Sequence, residues 1–367
     1  MHFETRHATR IAFATAVAAG LLGWSPRVAR SQATEPKTAE QVFKNIVELK
    51  GTPADQLMPA MQFIAASLGV ECTFCHVQGK MDLDDKPAKK TARAMMAMTM
   101  AINKNSFGGR QEVTCYSCHR GAEHPVGVPS VLESDARTPA ETKAAPAATS
   151  LTVDAIVERY VAALGGADAI RAVTSRSMKG SILAGGGEMP IEVITKAPNK
   201  RISITHMGDN ESFTAFDGTA GWLSSSGRPA RDMTAAESEA FGLDAEFYLP
   251  LRLKEIFTQL RVARPEQIAG ADCQTLIGSG PGRPRVRLYF DANSGLLVRM
   301  VRYAETPLGR LPTQIDYADY RESDGVKIPF RWTLSRPNGR FTIQIAEVKS
   351  NVAVDDARFA KPAPEAK

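Results

Sequence analysis

The chain has little charge of one sign. Lys and Arg number 45 against 40 Asp and Glu, a net of +5. The first 33 residues hold Arg6, Arg10, Arg27 and Arg30 against Glu4, and without them the balance is +2. A nucleic-acid binder carries a basic patch or stripe, so the near-neutral balance argues against that class. Cysteine is scarce and odd in number, five in 367 residues, which rules out a fully paired disulfide framework. Long apolar runs are missing beyond Ile11–Leu22, which falls short of the roughly 20 residues that span a bilayer. No cysteine directly follows that run to carry a lipid anchor. What is present is ordinary for a globular protein: 43% hydrophobic and 23% charged residues, over a length that suits about two domains.

The N-terminus has the plan of a secretory signal. Arg6, His7 and Arg10 precede the apolar run, and Ser31-Gln32-Ala33 supplies small residues for cleavage. Residues 1–33 are therefore expected to be removed, leaving an exported, periplasmic bacterial protein. Residues 34–124 form a first, helical unit. Thr38-Ala39-Glu40-Gln41 reads as a capping box, and Val42, Ile46 and Leu49 continue a helical stripe to Gly51. Thr52-Pro53 opens a second helix to about Ser67, with a kink expected at Pro59. A third helix is expected over about Thr91 to Asn103. Residues 125–150, punctuated by proline among Ala, Thr and Ser, read as a linker.

Four of the five cysteines carry the chemistry. Cys72-Thr73-Phe74-Cys75-His76 and Cys115-Tyr116-Ser117-Cys118-His119 are both C-x-x-C-H, the spacing that attaches a c-type haem. Two thiols one helical turn apart reach the two vinyl groups of one porphyrin, and the adjacent histidine then lies under the iron. Composition alone expects on the order of a thousandth of one such match in the chain. A zinc site built from four thiols would leave His76 and His119 unused, and a redox dithiol would need a βαβ context. The pattern thus predicts two covalently bound haems (heme c), tethered by Cys72, Cys75, Cys115 and Cys118 and ligated by His76 and His119. Methionine supplies candidates for the second axial position. Seven of 13 fall between Met58 and Met100, with Met58 and Met61, and Met95 and Met98, one turn apart on the helices ahead of each motif. Methionine in a helical stripe is usually core filler; beside two haems, one ligand per helix is the better reading.

Gln56-Leu57-Met58-Pro59-Ala60-Met61-Gln62-Phe63, the run Leu68-Gly69-Val70-Glu71, Ala92-Arg93-Ala94-Met95-Met96-Ala97-Met98, Ala101-Ile102-Asn103 and Val113-Thr114 through Arg120-Gly121 carry a family resemblance. Over about residues 40–129 the chain resembles the cytochrome c subunit of photosynthetic reaction centres. The resemblance implies Met61, eleven residues ahead of Cys72, and Met95, two after Arg93, as axial ligands, with Met58 and Met98 as fallbacks. The family form typically carries four haems; this chain has two motifs, which fits a shorter diheme relative. His124, five residues past His119, reads as a loop histidine.

Residues 151–367 form a second unit. Thr152 to Leu164 is an amphipathic helix stopped by Gly165-Gly166, after which the pattern turns to period two. Asn293-Ser294-Gly295 and Asp324-Gly325 join strand pairs, and a helical interruption lies at about Asp244 to Leu260. The run Phe216 to Trp222, Leu288-Tyr289-Phe290-Asp291, and Asp316 to Pro329 are similar to the open half-barrel of outer-membrane lipoprotein-sorting proteins. That resemblance implies a concave face for acyl chains or a partner. His206 reads as structural and Cys273 as a buried, inert thiol.

The expected fold is a mainly α diheme cytochrome domain followed by an antiparallel β half-barrel (α+β) domain. The expected function is single-electron transfer by a carrier that is not an enzyme, with redox proteins or a membrane-bound electron-transfer complex as partners, and a lipophilic ligand as a further candidate for the second domain. Two other readings are a peroxidase-like diheme enzyme, which needs one open distal site, and a redox sensor that binds lipid or a partner through the sheet.

Overall fold

The computed structural model describes residues 37–125, 151–225, 228–337 and 339–362. The export segment, and the linker but for Pro125, lie outside them. Helix α1 is Ala39–Val42, opened as expected by the Gln41 side chain accepting from the Thr38 N–H at 3.0 Å. It does not run on to Leu49. Phe43 is extended and Asn45 adopts a left-handed backbone (φ 59°), with its amide donating to Asp84 Oδ1 at 2.9 Å. A tertiary contact thus overrides the helical stripe.

Helix α2, Leu57–Leu68, follows a short 3-10 turn at Ala54–Gln56. Pro59 falls in its first turn, where the missing N–H has no helical partner to lose, so the expected kink gives way to a normal helix start. The first motif forms a single-turn helix, α3, Cys72–Cys75. Helix α4, Pro87–Phe107, starts a turn earlier than the sequence suggests because Pro87 occupies a favoured first-turn position. The second motif is α5, Cys115–His119. Its N-terminus is tied by the Thr114 N–H donating to Ser117 Oγ at 3.0 Å.

Helices α6, Val153–Ala163, and α7, Ala167–Ala172, lead into the strands, with α6 capped by Thr152 and stopped at Gly165-Gly166 as expected. The strands are β1 Ser175–Ala184, β2 Gly187–Lys196, β3 Lys200–Met207, β4 Asn210–Phe216, β5 Gly221–Ser225 and β6 Arg228–Asp232. Helices α8, Ala235–Ala245, and α9, Leu249–Ile256, form the helical interruption. Then come β7 Gln259–Ile268, β8 Ala271–Gly280, β9 Arg283–Asp291, β10 Leu297–Thr306, β11 Gly309–Ser323, β12 Val326–Arg336 and β13 Gly339–Ser350.

Among the described residues all 13 strands belong to one antiparallel sheet, in the order β6-β5-β4-β3-β2-β1-β13-β12-β11-β10-β9-β8-β7. Two meanders meet where β1 pairs with β13, with Met178 opposite Val348. At the β9–β10 turn, Asp291 accepts from the Ser294 N–H at 2.6 Å and Gly295 has φ 75°. At the β11–β12 turn, Asp324 and Gly325 have φ 52° and 76°, the two positive values a type I′ hairpin demands. The fold is therefore α+β: a helical N-terminal region and a large open antiparallel sheet.

The chain's own helices pack against the sheet. Ile156 and Tyr160 of α6, Leu243 of α8 and Leu253 and Ile256 of α9 pack on Val193, Leu288, Phe290, Met300, Ile315 and Ile345. Asp244 of α8 ties two distant strands together, accepting from Arg302 at 2.7 Å through its carboxylate and from Arg201 through its carbonyl. A second core joins the helices to the sheet. Ala60, Phe63 and Ile64 of α2 and Met96 of α4 bury against Leu308 and Leu311 at the β10–β11 hairpin. Gly309 lies under the Phe63 ring, where a Cβ would come within 2.5 Å of Cζ.

Leu308 is 2% exposed, so Leu308→Ala opens a cavity between the hairpin and α2. It is expected to cost about 2–5 kcal/mol, read as a lower urea midpoint with an unchanged slope.

Candidate functional site

Each motif is a one-turn helix that presents its two thiols differently. Cys72 and Cys118 are exposed, whereas Cys75 and Cys115 are partly buried and their thiols are pushed up by that burial. None of the five cysteines is paired in a disulfide, and Cys273 is buried in β8 as expected. The thiols do not converge: no group of three or more His, Cys, Asp or Glu among the described residues could hold a bare metal ion. That geometry disfavours a four-thiol zinc site.

The two histidines are held alike. His76 Nδ1 lies 2.8 Å from the Met81 carbonyl oxygen, and His119 Nδ1 lies 3.0 Å from that of Ala122. A carbonyl only accepts, so Nδ1 carries the hydrogen and Nε2 keeps its lone pair. That is the tautomer a metal-ligating histidine uses, with its other nitrogen anchored by a backbone acceptor. The donor set therefore fits a haem iron at each motif.

The methionines separate into two groups. Met96 is 8% exposed and belongs to the core. Met58, Met95 and Met98 are exposed, at 55%, 37% and 46%, and Met61 is partly buried beside the α2 cluster. The sequence stripe on α4 offers Met95, Met96, Met98 and Met100 alike; packing removes Met96.

The two repeats interlock. Helix α2 packs against α5, and α4 against α3, so each methionine-bearing helix touches the motif of the other repeat. The first of these contacts is very close. The Gly121 N–H donates to the Ser67 carbonyl at 2.8 Å, and a Cβ on Gly69 (φ 68°) would meet the Gly121 oxygen at 2.2 Å. A cleft of about 830 Å³ opens beside α5, lined by Phe63 and Ser67, Thr114 and Tyr116, and Arg110 and Arg310.

Sequence reasoning missed the side chains that hold the loops into place. Asn103, 8% exposed on α4, accepts from the Glu112 and Val113 N–H groups at 3.1 and 2.9 Å and donates to the Val113 carbonyl at 2.7 Å. It fixes the loop that leads into the second motif. Around the first motif Lys89 and Asp84 do comparable work. Lys89 Nζ donates to the Met81 and Leu83 carbonyls at 2.9 and 2.8 Å, and Arg93 and Lys89 beside Asp84 hold its carboxyl well below the usual range. His124 is exposed beside Glu123, and His206 pairs with Glu211 at 3.1 Å, away from the motifs.

Residues 16–177 match the family model described as the photosynthetic reaction centre cytochrome C subunit. The N-terminal part of the chain is similar to that subunit. The "Photosynthetic reaction center cytochrome c subunit" of Thermochromatium tepidum is 30% identical over 99 residues, 26% of this chain and 24% of that one. The subunit of Roseobacter denitrificans is 34% identical over 99 residues, 24% of this chain and 26% of that one. The chain spans about a quarter of the length of these curated relatives. Among solved structures, a DUF1329 family protein from Desulfovibrio piger gives a TM-score of 0.40 at 15% identity, covering 57% of this chain and 97% of the other. A LolA superfamily protein from Nitrosomonas europaea gives 0.41 at 14% identity, covering 57% and 98%.

Asn103→Ala leaves two backbone donors without their acceptor. It is expected to lower stability by about 1–3 kcal/mol in urea titrations, with the Asn103→Asp variant intermediate because it keeps the acceptor oxygen.

Proposed function

We propose that this protein is an exported, periplasmic diheme c-type cytochrome that relays single electrons and is not an enzyme. The observation that carries the reading is the repeated arrangement at α3 and α5: two thiols on one helical turn, followed by a histidine whose Nδ1 is anchored to a backbone carbonyl. The similarity of the N-terminal part to the reaction-centre cytochrome c subunit supports covalent haem c and electron-transfer partners at a membrane.

Cys72 and Cys75 would tether one haem and Cys115 and Cys118 the other, with Nε2 of His76 and of His119 as proximal ligands. Met61 and Met95 are the proposed distal ligands, Met58 and Met98 the fallbacks. When bound, each haem supplies a one-electron Fe(III)/Fe(II) couple. The protein supplies ligand orientation through the Met81 and Ala122 carbonyls and a half-buried, low-dielectric wall from α2 and α4. No helix among the described residues is long and apolar enough to cross a membrane. The lipid-binding reading of the sheet is not favoured, because α6, α8 and α9 pack against it.

A pyridine haemochrome assay on the purified protein is expected to give two haems c per chain, and one for the Cys72→Ser, Cys75→Ser double variant. A count below two in the unaltered chain defeats the reading. Met61→His and Met95→His are each expected to lower one midpoint potential and weaken the iron–sulfur absorption band. A variant with both quantities unchanged removes that methionine as a ligand.

A further inference from the structure

The carbonyls that hold the two histidines are not equivalent. The Met81 oxygen accepts twice, from His76 Nδ1–H at 2.8 Å and from Lys89 Nζ at 2.9 Å. Among the described residues the Ala122 oxygen receives only the His119 ring. Lys89 is no casual surface contact. It is 8% exposed, also donates to the Leu83 carbonyl at 2.8 Å, and lies 3.1 Å from Asp84 Oδ1. Asp84 is in turn held by Arg93 at 2.9 Å and by Asn45, and Arg93 reaches the Asn45 carbonyl at 3.1 Å. The ammonium is thereby fixed on the carbonyl from several sides.

Two donors on one acceptor compete. An ammonium draws electron density from the carbonyl oxygen, so the oxygen accepts less strongly from the imidazole N–H. A weaker acceptor leaves the imidazole less electron-rich, and a less electron-rich ligand stabilises the oxidised iron less. Asp84 offsets part of the Lys89 charge, so the effect rests on the shared oxygen rather than on net charge. Resting on the two-haem reading above, we propose that Lys89 is a positioning residue that sets the reduction potential at the first motif above that at the second. It touches no reacting atom and acts through the Met81 carbonyl on His76. The two motifs, alike in sequence, would then be unequal electron sites.

The test is a spectroscopic redox titration of the full-length, haem-loaded protein and its variants. The unaltered protein is expected to titrate in two one-electron components. Lys89→Met is expected to lower the reduction equilibrium constant of the upper component about tenfold, which is about 59 mV, and to leave the lower one in place. Lys89→Arg, which keeps a charged donor, is expected to restore the upper component. Lys90→Met, at an exposed neighbour, is expected to change neither. If Lys89→Met fails to fold, Lys89→Gln keeps a neutral donor and is expected to give a smaller fall in the upper component alone; no fall overturns the proposal. A two-haem protein whose Lys89→Met curve superimposes on the original, or whose components fall equally, overturns the role of Lys89 while leaving the two-haem reading standing. An equal fall in Lys90→Met overturns the assignment to the shared carbonyl. Fewer than two haems in the unaltered chain sinks the reading beneath both.

Discussion

A carbonyl oxygen cannot donate a hydrogen bond. At Met81 and Ala122 that constraint settles which nitrogen of His76 and His119 carries the proton. The rest of the helical region is arranged around keeping those two oxygens where they are. Lys89, Asp84, Arg93 and Asn45 brace the loop that bears Met81. Asn103 braces the approach to the second motif, and the Ser67–Gly121 bond pins the turn that leads to Ala122. Remove the braces and the motifs would still hold four thiols and two imidazoles, but with nothing to choose their tautomer.

The sheet takes part in this arrangement. Phe63 and Ile64, on the helix that carries Met61, lean on the β10–β11 hairpin through Leu308 and Leu311. The hairpin belongs to the sheet by its hydrogen bonds and to the helical core by its side chains. A sheet that packs on its own helices still offers one hairpin as a support for the N-terminal helical region. This gives the longer part of the chain a mechanical task, independent of any ligand.

The two C-x-x-C-H motifs stand out in the sequence because residue identity and spacing are fixed together, and each folds as a single helical turn. The hairpins at Asn293-Ser294-Gly295 and Asp324-Gly325 were legible because positive φ restricts which residues can stand there. Helix α1 was overestimated because its end depends on Asn45 reaching Asp84, a contact 39 residues away that no local window contains. Lys89 was invisible for the same reason: a lysine in a Lys-rich stretch looks solvated until three oxygens are found around it. The methionine stripe on α4 could not be divided, since helical spacing places Met95, Met96 and Met98 without saying which side is covered. Nor could pattern alone announce that β1 closes on β13, whose partners lie 159 to 174 residues apart.

The Gly69–Gly121 approach has a bearing on how such a chain can change over time. Two repeats that merely sat side by side could be trimmed, lengthened or lost singly. Here the end of the first repeat's helix is fitted to the turn behind the second repeat's histidine with no room for one extra carbon atom. Neither half can be deleted without removing a wall from the other, and any insertion between α2 and α3 must preserve that seat. A change at the end of α2 is therefore felt directly at the turn behind His119.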